Sequence, residues 1–234
     1  AMFKDSSLHI AARDSIAWWK AWLIRLIAVL LSLIVCAIVI FGLTKMNPVE
    51  VYKGIFSGAV GTSRRAWVTI RDTMVLLLIA IGLTPAFKMK FWNIGGEGQV
   101  LIGGLASAAC MICLGDKLPG AVVILCMIVA SLAAGAIWGF IPAFFKAKWN
   151  TNETLSTLMM NYIATQLVAF YTIVWEVPKG SGKIGIINQN TNVGWLPQIF
   201  GSKYLLSIVV AVVITIFMYV YLNYSKQGYE ISVV

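Results

Sequence analysis

Asn93-Ile94-Gly95-Gly96-Glu97-Gly98-Gln99 sets one carboxylate, two amides and three glycines between apolar stretches, Ile79 to Phe87 before it and Val100 to Leu114 after it. Hydrocarbon offers polar groups no partner, so such a stretch needs a packed or water-lined setting. The glycines let backbones approach closely, and Asn93 and Gln99 can satisfy freed peptide groups at a helix start or break. Two readings follow. One is a helix-start turn at a cytoplasmic interface, with Glu97 near the positive helix end; the other is a discontinuous helix beside a polar path through a membrane.

Composition sets that stretch in a membrane. The 234 residues are 60% hydrophobic and only 12% charged, with a mean hydropathy of +0.86, whereas soluble domains run at about 25% charged. The net charge of +9 is scattered among apolar runs rather than gathered with aromatics on one face, so it reports membrane orientation and no nucleic-acid partner. Cys36, Cys110, Cys113 and Cys126 all lie in apolar runs, where a thiol packs as a small hydrophobe. The spacing Cys110-Met-Ile-Cys113 matches a redox motif but lacks its βαβ context. With His9 the one histidine, there are too few parts for a metal site or a His-based catalytic triad, and no cofactor is implied.

The resulting expectation is an all-α, polytopic helix bundle of about six spans. Ala1 before Met2 reads as an expression remnant or the edge of a fragment. Residues 3 to 25, with Lys4, Arg13, Lys20, Arg25, Trp18, Trp19 and Trp22, form a basic, aromatic lead-in for the cytoplasmic headgroup layer. Leu26 to Leu43 is a first span, an uncleaved anchor because it is long for a signal peptide and lacks a small-residue cleavage site. Asn47-Pro48-Val49-Glu50 starts a short outer amphipathic helix that places Tyr52, Ile55, Phe56 and Ala59 on one face and ends near Gly58 to Gly61; an ordinary packed loop is the alternative. Asp72 caps a second span to about Phe87, with Lys88 and Lys90 in a cytoplasmic turn.

The third span follows the glycine-rich stretch to Leu114, and Pro119 opens the fourth, Ala121 to Phe145. The small residues between Ala130 and Gly139 permit close crossing, and Pro142 kinks its end. Lys146 and Lys148 mark that end as cytoplasmic. Thr151 or Asn152 caps the fifth span, with Glu153 in its first turn. Ser156, Thr157, Asn161, Thr165 and Gln166 give this span a polar side, and the four-residue offsets from Thr157 to Asn161 and Thr165 share one face. Residues 176 to 203 are too polar and too broken by Gly and Pro to span and form an outer connection. Tyr204 to Tyr224 is the sixth span.

Three landmarks in this order carry a resemblance: Trp92 to Gln99, then Asn152-Glu153-Thr154-Leu155-Ser156-Thr157-Leu158-Met159-Met160-Asn161-Tyr162, then Gly228-Tyr229-Glu230-Ile231. Together they resemble the membrane permease of bacterial ATP-binding-cassette importers, in the branch serving nucleosides and simple sugars and akin to branched-chain amino acid and ribose permeases. Trp92 stands where Phe is usual, Gly96 where Ala is usual, and Ser232 where Arg is common. The family continues past the Gly228-Tyr229-Glu230 landmark, which opens its cytoplasmic ATPase-coupling loop. The chain therefore resembles the N-terminal part of one permease domain.

The resemblance implies a transport subunit rather than an enzyme, in the bacterial inner membrane with its N-terminus cytoplasmic. Its implied partners are cytoplasmic ATP-binding subunits, a second permease subunit, an extracellular solute-binding lipoprotein and the bilayer. A nucleoside is the leading solute, with Asn93, Glu97, Gln99, Asn161 and Gln166 lining or bracing the path, because amides pair with base edges and sugar hydroxyls alike. Gly95, Gly96, Gly98, Asn152 and Glu153 complete the motifs. A simple-sugar importer is the near alternative. An ion-coupled transporter using Glu97 or Glu153, an intramembrane enzyme and a structural protein are the other classes. The enzyme is disfavoured because His9 lies outside the spans and neither Asp72 nor Asp116 is mid-span.

Overall fold

The computed structural model describes residues 17–233, and every regular element among them is helical. His9, Lys4 and Arg13 of the lead-in lie outside the described residues, as do Ala1, Met2 and Val234. Among the described residues six helices are long and apolar enough to cross a membrane. The chain divides into two units, the first ending at Ala66 and the second covering Trp67–Val234.

In the first unit α1 runs Trp18–Thr44, so the aromatic residues expected in a lead-in already belong to the helix. Lys20 and Arg25 lie over the rings of Trp19 and Trp22, which lets both cations sit on an otherwise apolar helix. The short helix α2, Pro48–Val60, begins as its sequence predicts: the Asn47 side chain accepts from the Val49 amide at 3.0 Å, and Pro48 occupies the first turn. Tyr52 fastens α2 to α1 by donating its hydroxyl to the Leu33 carbonyl at 2.6 Å. Ile55 and Phe56 on the same helix stay exposed.

Helix α3 spans Ser63–Lys88. Its start corrects one expectation: Asp72 lies in the helix interior, and the Thr62 hydroxyl accepts from the Arg65 amide at 3.3 Å. Asp72 instead pairs with its neighbour Arg71 at 2.8 Å. The polar first turns of α3 carry the helix beyond its apolar stretch, which is why hydropathy alone places the start too late.

The packed centre of the second unit is made by α4 (Gly96–Leu114), α5 (Gly120–Trp149) and α6 (Glu153–Val174). Small residues make it possible. A Cβ on Gly103 of α4 would lie 3.3 Å from the Ser131 carbonyl oxygen of α5, and one on Gly139 of α5 would lie 2.5 Å from the Gln99 amide. Helix α5 runs through Pro142, which is buried. After the irregular stretch 175–204, α7 spans Leu205–Tyr224 and a short α8 follows at Lys226–Val233.

Candidate functional site

The glycine-rich stretch divides at its middle: residues 91 to 94 belong to no regular element, the Asn93 amide donating to the Phe91 carbonyl at 2.9 Å, and Gly96 opens α4. Asn93, nearly buried, folds back on this turn and accepts the Gly95 amide on Oδ1 at 2.8 Å. The helix start is then held from the side by α6. Thr157, fully buried, accepts the Ile94 amide at 3.2 Å, and its hydroxyl donates to the Glu153 carbonyl at 2.7 Å. Asn161 donates Nδ2 to the Ile94 carbonyl at 3.0 Å and accepts the Gly98 amide on Oδ1 at 2.8 Å. The Ile94 N–H and C=O are therefore both satisfied by side chains of one neighbouring helix, as backbone outside a helix requires when it is shielded from water.

Helix α6 gives the depth of this clamp. At about 1.5 Å per residue, Thr157 lies about 6 Å and Asn161 about 12 Å beyond Glu153 along the axis. The start of α4 thus sits well inside the length of α6. A Cβ on Gly98 would lie 2.7 Å from Asn161 Oδ1 and 3.1 Å from Trp138 Nε1, so this position needs glycine for the approach of three helices. The Trp138 indole N–H is buried there without an acceptor among the described residues.

The other predicted residues divide. Gln99 packs its side chain against Gly139 and lines an open groove of about 490 Å³ with Leu83, Gly103, Ser107 and Ser131. Glu97 and Gln166 are exposed and stand apart from the clamp. Asn152 caps α6 by accepting the Leu155 amide at 3.1 Å, and Glu153 meets Lys146 at 2.9 Å, joining the end of α5 to the start of α6. The cysteine thiols are free, Cys110 Sγ lying 3.9 Å from the Cys126 carbonyl oxygen.

Residues 67–234 match the family described as the permease component of the branched-chain amino acid transport system. This chain belongs to that permease family. The permease is 31% identical over 218 residues to the guanosine ABC transporter permease protein NupP of Bacillus subtilis (strain 168), covering 91% of this chain and 61% of that one. It is 26% identical over 220 residues to the nucleoside ABC transporter permease protein NupB of Lactococcus lactis, with 91% and 60% covered. A glucose ABC transporter permease protein of Haloferax volcanii is 25% identical over 238 residues, with 97% and 62% covered. The permease chain thus spans about three fifths of the length of these relatives, and no solved structure matches it.

The third landmark forms a corner. In the permease Ser225 accepts the Gly228 amide at 2.9 Å and so caps α8, while Gly228 is buried against the end of α7. A Cβ there would lie 2.5 Å from the Tyr221 and Leu222 carbonyl oxygens. Tyr229 and Glu230 project exposed, Glu230 lying 3.9 Å from Lys226. Sequence reasoning found Asn161 and the glycines but overlooked Trp138, whose single polar atom gives no pattern along the chain; Thr157 was legible only as part of a polar helix face.

Proposed function

We propose that this chain supplies the membrane path of an ATP-driven importer in the bacterial inner membrane, with its N-terminus cytoplasmic and a nucleoside as its solute. The observation that carries this reading is family membership together with two nucleoside-named relatives. The chemistry agrees, because the second unit pairs amide and hydroxyl groups with a small-residue helix crossing. A transport subunit of this kind hydrolyses nothing itself. Cytoplasmic ATP-binding subunits engage the end bearing Lys88, Lys146 and Lys148, starting at Gly228, Tyr229 and Glu230. A second permease subunit and a solute-binding lipoprotein complete the transporter.

In this reading Asn161 and Thr157 brace the start of α4, while Gln99 faces the groove. Glu97, exposed on the first turn of α4, and Gln166, exposed on α6, are open to a partner helix or to the solute. The test is uptake of labelled guanosine by the complete transporter. ATP-dependent uptake that other nucleosides compete with is expected. Uptake that survives loss of the ATP-binding subunits and collapses with an ion gradient would instead identify a secondary transporter. A simple sugar is the second reading, favoured by the glucose-named relative, and competition by glucose but not nucleosides would select it.

A further inference from the structure

A second concavity lies at the end of the bundle away from Lys146 and Glu153. It is a cleft of about 580 Å³ between the ends of α4 and α6 and the segment that follows α6, within the usual range of about 300–1,000 Å³ for small-molecule sites. Its walls are Ile112, Val174, Ile184 and Ile186, with Trp175 and Gln189 among them. The segment is fastened rather than loose. Asn188 donates Nδ2 to the Met111 carbonyl at 3.0 Å and to the Val193 carbonyl at 3.1 Å. Gly194 is buried where a Cβ would lie 3.0 Å from Met111 and 3.3 Å from Val123, and Trp195 donates to the Ile187 carbonyl at 3.0 Å. Glu176 accepts the Gly180 and Gly182 amides at 2.7 and 2.9 Å, and Lys179 donates to the Val174 carbonyl at 2.8 Å.

These bonds decide what the cleft can offer a ligand. Glu176, Lys179 and Asn188 use their polar groups on the protein's own backbone, and one carboxylate beside one ammonium leaves the cleft without net charge. Gln189 is exposed and its side chain makes no hydrogen bond to the described residues, so its amide is available as donor and acceptor. Trp175, tilted on Tyr171 at a centroid distance of 4.9 Å, is a large aromatic surface held in place by its neighbour. A flat, uncharged molecule with an aromatic face and a polar edge fits this set; an anion does not.

We infer that the cleft is a receiving site for the solute, in which a nucleobase lies against Trp175 and its polar edge meets the Gln189 amide. This rests on the nucleoside reading above. The site is separate from the Asn161 clamp and holds solute at the outer end before passage.

The test uses the full-length permease in membranes with its ATP-binding subunits and lipoprotein. Ile186→Cys is placed in the cleft, Phe200→Cys on an exposed control position, and alkylation by a maleimide is followed at each residue by mass spectrometry. Guanosine is expected to slow modification at 186 several-fold and leave 200 unchanged, with guanosine monophosphate much weaker. Trp175→Ala is expected to raise the half-saturating guanosine concentration for uptake about tenfold, as the loss of base stacking does, while Trp175→Phe stays near the parent. Equal melting temperatures keep that comparison free of misfolding.

ATP-dependent guanosine uptake without protection at 186 overturns the cleft and leaves the nucleoside reading standing. Absence of both overturns that reading and this inference with it. Protection by the lipoprotein without nucleoside makes the cleft a protein contact and overturns it as a solute site.

Discussion

At the scale of a residue, the Ile94 peptide is the point on which the site turns, because its N–H and C=O are both held by α6. The two bonds of Asn161 are of opposite sense, which assigns its amide: the oxygen faces the Gly98 amide and the nitrogen faces the Ile94 carbonyl. Asn161→Asp keeps the acceptor and turns the donor into an oxygen against a carbonyl. It is therefore expected to destabilise at least as much as Asn161→Ala, which orphans two groups and costs about 1–3 kcal/mol. Melting of the purified protein checks both. Gly98→Ala is expected to cost about 1–3 kcal/mol through overlap with Asn161 and Trp138. Trp138→Phe removes a buried donor that has no acceptor and is expected to leave the melting temperature unchanged or higher, provided the ring volume is filled.

At the scale of an element, helix ends and corners carry the sequence landmarks. Asn152→Ala removes the cap of α6 and is expected to cost about 1 kcal/mol, whereas Asn152→Asp keeps an acceptor and is expected to be close to neutral. Gly228→Ala cannot keep the α7–α8 corner, since the added carbon meets two carbonyl oxygens; the expected outcome is a displaced α8, read as loss of solute-stimulated ATP hydrolysis in the complete transporter. The segment after α6 depends on Glu176. The Gly180 amide first, then the Gly182 amide, hold its carboxyl below the ordinary value of 4.5, with Lys179 adding a smaller pull and burial opposing. A depressed carboxyl contributes stability that is present above the ordinary value and is lost as pH falls through the lowered one. Faster proteolysis between Val177 and Lys183 is thus expected on acidification below that range. Glu176→Gln, read by trypsin cleavage after Lys179 and Lys183 at neutral pH, is expected to act in the same direction.

At the scale of the whole molecule, exposed apolar surface is the dominant fact. Helix α1 buries no residue at all, and leucines, valines and phenylalanines along α5 and α7 are exposed as well. In water such surface would drive association; in a bilayer it is the lipid-facing and partner-facing exterior. The six spans set the expected topology. A cysteine replacing Lys183 is expected to react with an impermeant maleimide in intact cells, and one replacing Lys90 only after the membrane is opened. The opposite pattern would invert the orientation proposed from the lysines of the compact turns.

The sequence by itself determined the number and order of the apolar helices and the glycine and proline punctuation between them, and narrowed the cap of α6 to Thr151 or Asn152, because hydropathy, capping and turn chemistry act over a few residues; the structure selects Asn152. It also singled out Asn93 and Asn161 as candidates, since polar groups inside apolar runs need a partner, and Gly98 as a place of close approach. Tertiary structure alone decided which of them meet. Asn161 and Ile94 are 67 positions apart, and Thr157 and Ile94 are 63, so their pairing depends on how far α4 starts along the length of α6. The same packing left Glu97 and Gln166 outside the clamp and brought in Trp138, which no local pattern distinguishes from an ordinary aromatic on an apolar helix. Hydrogen bonds between helices are set by relative depth and rotation, and those are decided by small residues fitting across an interface rather than by any stretch read along the chain.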